Sequence, residues 1–162
     1  MADVIIRPYR PGDELGIADL IVPIQRQEFD IPITYAEQPD LRDIPGFYQQ
    51  GAGEFWVAVD GDRVVGSISL KDIGQGAGAL RKMFVAASHR GAPHRLATGL
   101  LTVLLAHARD QGLQAVYLGT TAKFLAAHRF YEKSGFSLIT PDELPPSFPR
   151  MAVDTRFYFL SL

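Results

Sequence analysis

Two stretches of this chain combine residue types whose order could do chemistry. In Leu80–Leu101, LRKMFVAASHRGAPHRLATGLL, an apolar run of strand character enters a basic loop and opens directly onto a leucine-rich helical pattern. That order makes an anion site. The first turn of a helix leaves backbone N–H groups unpaired and carries the positive end of the helix dipole. Arg90 and Arg95 flank the loop, and His89 and His94 lie in it as further donors or as solvated loop side chains. Pro93 precedes the pattern Leu96, Leu100, Leu104, Ala108, where a helix start tolerates proline. The second stretch, Ala127–Phe136, carries Tyr131. A phenol with an ordinary pKa of about 10 stays protonated at neutral pH and can donate to a leaving anion. By spacing alone Tyr131 reads first as part of an apolar helix face with Phe124 and Ala127.

The charge distribution points the same way. The chain has 16 Lys and Arg against 18 Asp and Glu, a net charge of -2. Residues 1–72 hold 6 basic and 13 acidic side chains, whereas residues 73–162 hold 10 and 5. Between Ile73 and Arg109 there is no acid, against five Lys or Arg and three His. An anionic ligand held by the second half accounts for this asymmetry; a solvated basic face is the plainer alternative. The basic residues are confined to one stretch and the overall pI is near 6.1, which argues against nucleic acid.

At 162 residues, 47 % of them hydrophobic, the chain reads as a single domain over 1–162 with a full core. It has no cysteine, so disulfides, thiolate nucleophiles and Cys-ligated metals are excluded. The scattered histidines show no metal-ligand spacing, and no metal is expected. The first residues lack the order of a signal peptide and no run approaches a membrane span, so a soluble, cytoplasmic protein without membrane partners is expected.

These residues need elements to position them. Asp3–Tyr9 reads as a strand ended at Pro11-Gly12. Asp13 is the expected N-cap of a helix running to about Phe29, which Pro23 kinks or splits. Residues 30–50 read as loop with a short helix near Asp40–Gln50. Glu54–Val59 and Arg63–Leu70 are strands joined at Asp60-Gly61, a strong hairpin signal, and Ala79–Ala86 is the next strand. A helix over Pro93–Asp110 follows, then a strand over Ala115–Leu118, a helix over Lys123–Ser134, a strand over Phe136–Thr140 and a last strand over Ala152–Leu160. The predicted class is α+β, a mixed, mostly antiparallel central sheet flanked by helices, in the order β-α-α-β-β-β-α-β-α-β-β. Gly74–Ala79 can be forced onto a dinucleotide-binding glycine pattern. A strand rather than a helix follows it, so it reads as a hairpin.

With that order, the chain resembles the GNAT-type N-acetyltransferases. The resemblance rests on Met83, Phe84, Val85, then Arg90, Gly91, then Leu96, Ala97, Leu100 and Leu101, and on Ala127-His128-Arg129-Phe130-Tyr131-Glu132-Lys133-Ser134-Gly135-Phe136. It runs from Ile6-Arg7 to the final strand. A bacterial subgroup is closer still, sharing Leu80-Arg81-Lys82-Met83-Phe84-Val85, Leu118-Gly119-Thr120-Thr121 and Val153-Asp154-Thr155. The resemblance implies the GNAT fold, acetyl-CoA as co-substrate, and transfer of its acetyl group to a small-molecule or amino-acid-like amine. By the same resemblance the cofactor would meet Met83, Phe84, Val85, Arg90, Gly91, His94, Arg95, Leu96, Ala97, Thr98 and Phe124. Main-chain groups of Phe84 and Val85 would serve pantetheine and the oxyanion, and Tyr131 would be the general acid. Two departures stand out: two extra residues separate Arg90-Gly91 from the helix, and Arg95 replaces the family's glycine before Leu96. In addition, Phe124 occupies the place of an asparagine that many relatives carry.

The acceptor side is less defined. Glu28 is the candidate general base, or simply an exposed carboxylate at a helix end. His128 reads as a surface or cofactor-edge side chain. Phe29, Tyr48 and Thr120 are the candidate acceptor contacts, with Thr121, Tyr35, Phe47 and Trp56 as further walls or as core. A CoA-binding sensor or interaction module without chemistry, and a protein N-acetyltransferase, are the alternatives. An exposed edge at the last strand would favour a homodimer.

Overall fold

The computed structural model describes residues 3–122 and 124–162. Seven strands form one sheet in the order β1-β2-β3-β4-β5-β7-β6: β1 Val4–Pro8, β2 Glu54–Asp60, β3 Arg63–Gly74, β4 Ala77–Val85, β5 Ala115–Thr120, β6 Ser137–Ile139 and β7 Arg156–Ser161. Every pairing is antiparallel except β4 with β5. The helices are α1 Glu14–Pro23, α2 Pro39–Arg42, α3 Ile44–Phe47, α4 Leu96–Asp110 and α5 Leu125–Lys133. The expected α+β class and element order stand.

The expected boundaries shift where side chains compete with the pattern. Asp13 stands at the N-cap of α1 as expected, but its side chain makes no capping bond, because its carboxylate takes two hydrogen bonds from the Arg7 guanidinium (2.8 and 2.9 Å) and one from the Arg10 N–H. Pro23 has no N–H for the helical ladder, and beyond it the coil widens into a π-helical turn over Ile24–Glu28. The hairpin turn is Gly61-Asp62, one residue later than expected, with Gly61 at φ 62°. The last strand begins at Arg156 rather than Ala152, because Met151–Asp154 folds into a turn of its own. The first residue of the predicted Lys123–Ser134 helix lies outside the described residues; the helix itself begins at Leu125.

α1 and α4 cover opposite faces of the sheet: Gly16 of α1 lies against Val64, whereas Leu100 of α4 lies over Ala58 and Gly66, and Ile17, Ile21, Leu100 and Leu104 are completely buried. A smaller cluster of Ile73, Ala77, Ala79, Phe148 and Phe157 lies apart from that core. β7 is not an edge: it pairs with β5 on one side and β6 on the other. The edge-strand argument for a homodimer therefore fails, since its backbone groups already have partners. Among the described residues no helix is long and apolar enough to cross a membrane.

Candidate active site

β4 and β5 pair only over Ala77–Ala79 and Ala115–Tyr117. Beyond that point they part, although β5 continues to Thr120 along β7 and β4 to Val85 along β3. A wedge opens in the middle of the sheet, with strand backbone on both sides. β4 is also bulged there. Ser67 faces Phe84 and Ser69 faces Arg81, so Lys82 and Met83 together oppose Ile68. Lys82 adopts φ 52°, a left-handed conformation that costs a non-glycine residue about 1–2 kcal/mol. Two carbonyls of the bulged strand are taken by buried side chains, Ser67 Oγ donating to Lys82 O and Ser69 Oγ to Arg81 O, each at 2.7 Å. Neither serine stood out in the sequence; alternating small polar residues inside an apolar strand are the signal that could have found them.

The wedge leads into a cavity of about 300 Å3, lined by Leu80–Phe84 of β4, by Gly119–Thr121 and Tyr131, and by Phe148, Pro149 and Met151–Asp154. Tyr131 is buried at the wedge, its hydroxyl 3.5 Å from Met83 Sδ, to which it donates. Burial alone pushes its pKa far up, so it stays protonated across the neutral and mildly alkaline range. Thr120 is also buried, and its Oγ1 has no hydrogen-bond partner among the described residues. An orphaned buried hydroxyl in a cavity wall is a place for a ligand atom.

Behind β4 sits a buried ionic cluster. Tyr48 donates to Asp40 Oδ2 at 2.5 Å and accepts from Arg81 Nε at 3.1 Å. Arg81 also donates to Pro149 O (3.1 Å), and Lys82 Nζ to Gln38 Oε1 (2.6 Å); both cations stand 3.7 Å from Asp40. Burial lowers the Lys82 pKa, while Arg81 is held fully charged by Tyr48 and Asp40 against its own desolvation. This places Tyr48 in the core. It is fully buried and meets the cavity only through Arg81, which corrects its expected contact with the acceptor. Phe29 likewise stands behind Phe124, with ring centroids 4.2 Å apart, and Phe124 is the one that lines the cavity. Arg81 and Lys82, read only as part of a motif, are the cations at the site.

The basic loop differs from expectation in three ways. α4 starts at Leu96, not Pro93, because Arg95 takes a left-handed conformation (φ 49°) that cannot continue a helix. The chain thus keeps a glycine-like backbone at the position where the family's glycine is missing, and the Leu96, Ala97 and Thr98 amides stand at the open end of α4. Gly91 also has positive φ, 70°. Secondly, Arg90 is already engaged: its Nε donates to Val85 O at 2.8 Å, and Nη1 pairs with Glu28 Oε1 at 2.7 Å. Glu28 lies outside the cavity, in a separate depression with Asp19, Asp60 and Asp62. The expected phosphate contact and the expected base pair with each other, and the Val85 carbonyl already accepts one hydrogen bond. Thirdly, His89 is buried, bonded to Asp60 (2.7 Å) and Ser88 (2.7 Å), with the His94 ring 4.7 Å away. His128 is no surface residue either. It is buried with Nε2 against Thr121 O (2.9 Å), tying the end of β5 to α5. Trp56 lies in the core beside His107, away from the cavity lining. Among the described residues no group of three His, Cys, Asp or Glu side chains could hold a metal ion.

A parted β4 and β5, a bulge on β4, a glycine-bearing loop into a helix and a buried tyrosine facing the gap occur here together. Residues 19–136 match the model of the Acetyltransferase (GNAT) family. The chain belongs to that family. An acetyltransferase of the GNAT family from Staphylococcus aureus, solved by crystallography, is similar over the whole fold, with a TM-score of 0.93, 34% identity, and 98% of this chain and 99% of that one covered. N-acetylaspartate synthetase from Danio rerio is 33% identical over 123 residues, which are 74% of this chain and 43% of that protein. The fold alone is shared with a Thermoplasma acidophilum N-acetyltransferase solved in complex with coenzyme A, at 12% identity, a TM-score of 0.73 and 99% of each chain covered. The chain spans about half the length of the curated relatives it matches.

Proposed function

We propose that this protein transfers the acetyl group of acetyl-CoA directly to the amine of a small, amino-acid-like acceptor. The observation that carries the reading is the wedge between β4 and β5 with the Tyr131 hydroxyl buried at it. The residues present suit the co-substrate. Unpaired amides at the start of α4, beside Gly91 and the exposed Arg95, suit a pyrophosphate, and the open edge of β4 at Met83 and Phe84 suits an amide-bearing arm. Acetyl-CoA, when bound, supplies an activated thioester carbonyl. The chain must then hold a neutral amine against that carbon, offer a backbone donor to the oxyanion and protonate the leaving thiolate. Tyr131 is the proton donor: burial keeps the phenol protonated and no basic side chain competes for its hydrogen.

An amino-acid-like acceptor is supported by the charges of the cavity. Arg81 and Lys82 line it and suit a carboxylate, and the Thr120 hydroxyl is free to bind the acceptor or the thioester oxygen. The cavity volume of about 300 Å3 favours a small acceptor over a protein chain. A relative named N-acetylaspartate synthetase is in keeping with this class. The test is calorimetric titration with acetyl-CoA, with NAD as control, followed by thiol release with the coded amino acids as acceptors. Binding of acetyl-CoA alone together with turnover of an amino acid is expected. Binding without any turnover would leave a CoA-binding module, and no binding would remove the reading altogether.

A further inference from the structure

The segment Val153-Asp154-Thr155 has no part in the scheme above, yet it is fastened to the reacting end of the wedge. The Thr155 N–H donates to Thr120 O at 2.9 Å, and Thr155 Oγ1 accepts from the Ala122 N–H at 3.1 Å. Held between those anchors and the Met151 turn, Asp154 lines the same cavity as Tyr131, Thr120, Arg81 and Lys82. β5 makes room for it. A Cβ on Gly119 would lie 2.7 Å from Asp154 Oδ2, 2.9 Å from its Cγ and 3.0 Å from the Phe157 ring. A carboxylate can stand this close to the end of β5 only because position 119 is glycine. Among the described residues, the one hydrogen bond to it is from the Met151 N–H onto Oδ2, at 3.0 Å. Burial raises its pKa from the ordinary value, and Arg81, Arg150 and Lys82 pull it back without cancelling the rise. A half-buried carboxylate with one donor, facing a cavity, is disposed to accept a proton.

Resting on the acetyl-transfer reading, we propose that Asp154 is the general base of the acceptor site and a catalytic residue. Its carboxylate takes one proton from the acceptor's ammonium group. The freed lone pair attacks the thioester carbonyl carbon; the C–N bond forms, the C–S bond breaks, and the departing thiolate takes the Tyr131 proton. The second proton lost by nitrogen restores the phenol through solvent, and Asp154 returns its own proton to solvent. One proton is released per amide formed. The charged and titratable groups facing Asp154 are Arg81 and Lys82 on β4, Asp40 on α2 behind them, Arg150 on its own segment and Tyr131 on α5. An acceptor with its ammonium at Asp154 and a carboxylate toward Arg81 and Lys82 is an amino acid; a polyamine would meet those two cations unfavourably.

The test is Asp154→Asn, which keeps the volume and an acceptor for the Met151 N–H. With the best amino-acid acceptor, kcat/KM at neutral pH should fall about 100-fold, the ordinary contribution of a positioned base. Acetyl-CoA affinity by calorimetry should not change. The loss should shrink as pH rises toward the pKa of the acceptor amine. It should shrink also with hydroxylamine, which is uncharged at neutral pH and needs no base to free it. A merely structural role would depress both acceptors alike at every pH. Should Asp154→Asn fail to fold, Gly119→Ala displaces the carboxylate from outside and should give the same selective loss. A wild-type pH profile in Asp154→Asn, or equal losses for the two acceptors, overturns the proposal. Wild-type protein that binds acetyl-CoA but acetylates no amine removes the acetyl-transfer reading and this one with it. An active wild type with an unaffected Asp154→Asn removes Asp154 alone.

Discussion

The cavity and the basic loop are built on opposite principles. At the cavity the polar groups are side chains: Asp40, Tyr48, Arg81 and Lys82 hold one another behind β4, and the half-buried Asp154 and the buried Thr120 face the cavity. At the basic loop they lie in backbone. Arg95 is exposed and left-handed, Gly91 has positive φ, and Arg90, the side chain that looked most suited to phosphate, is tied to Glu28 and Val85. Backbone amides present the same donors whatever the side chain, so a loop of this kind tolerates replacement of its family glycine by Arg95. A buried ionic cluster tolerates far less, because each member removed leaves an unpaired charge in low dielectric.

The sharpest way to break the contrast is Asp40→Ala. It would strand Arg81 and Lys82, whose side chains are 12% and 7% exposed, and remove the acceptor of the Tyr48 hydroxyl. Removing one partner of a buried pair costs about 3–5 kcal/mol. At about 2–4 °C per kcal/mol for a chain this size, thermal unfolding should drop by roughly 10 °C. A change below about 2 °C would show that water reaches these cations and that the cluster is not buried in solution.

Next in size is Tyr131→Phe, which should leave the fold and acetyl-CoA affinity intact. kcat should fall about 100-fold, or about 2.7 kcal/mol in barrier height. In the wild type, kcat should show no alkaline decline from this phenol within the range where the protein is folded, since burial raises its pKa well above the ordinary value. An unchanged kcat would return Tyr131 to the apolar helix face suggested by its spacing with Phe124 and Ala127.

Gly91→Ala tests the basic loop. Nothing lies within 4 Å of the added methyl group, so the effect is conformational: φ of 70° costs an L-residue about 1–2 kcal/mol. If backbone makes the site, acetyl-CoA affinity should weaken several-fold while Arg90→Ala changes it less. The opposite ranking would restore Arg90 as the phosphate contact.

What could be read from residues alone divides along the same line. Element order and the loop-to-helix junction follow from local patterns, the period-two strands and the Leu96–Ala108 stripe, whereas the role given to Tyr131 rests on the family resemblance of its Tyr-Glu-Lys stretch and not on its spacing. The cavity depends on contacts over long separations. Asp40 meets Lys82 across 42 positions, Arg81 reaches Pro149 across 68, and Asp154 packs on Gly119. No periodicity encodes such pairs, and the buried Tyr48 and His128 looked in sequence like any polar aromatic at an element's end. Glu28 and Arg90 illustrate the reverse error: each suited a role by type, but the π-helical turn after Pro23 brings them within 2.7 Å of each other.

That pair supplies the smallest effect and the closing discrimination. Glu28 and Arg90 are 35% and 42% exposed, and an ion pair so open to solvent contributes at most about 1 kcal/mol. Glu28→Gln should therefore cost less than that in stability, and the cost should vanish at high salt, where exposed charges are screened. Because Glu28 faces a depression separate from the cavity, turnover and its pH profile should follow the wild type. The Asp154→Asn profile should instead lose its neutral-pH plateau. If the two carboxylates exchanged behaviours, the base would lie at the end of the π-helical turn, the Arg90 pair would have to open during turnover, and side chains rather than backbone would carry the chemistry of the basic loop.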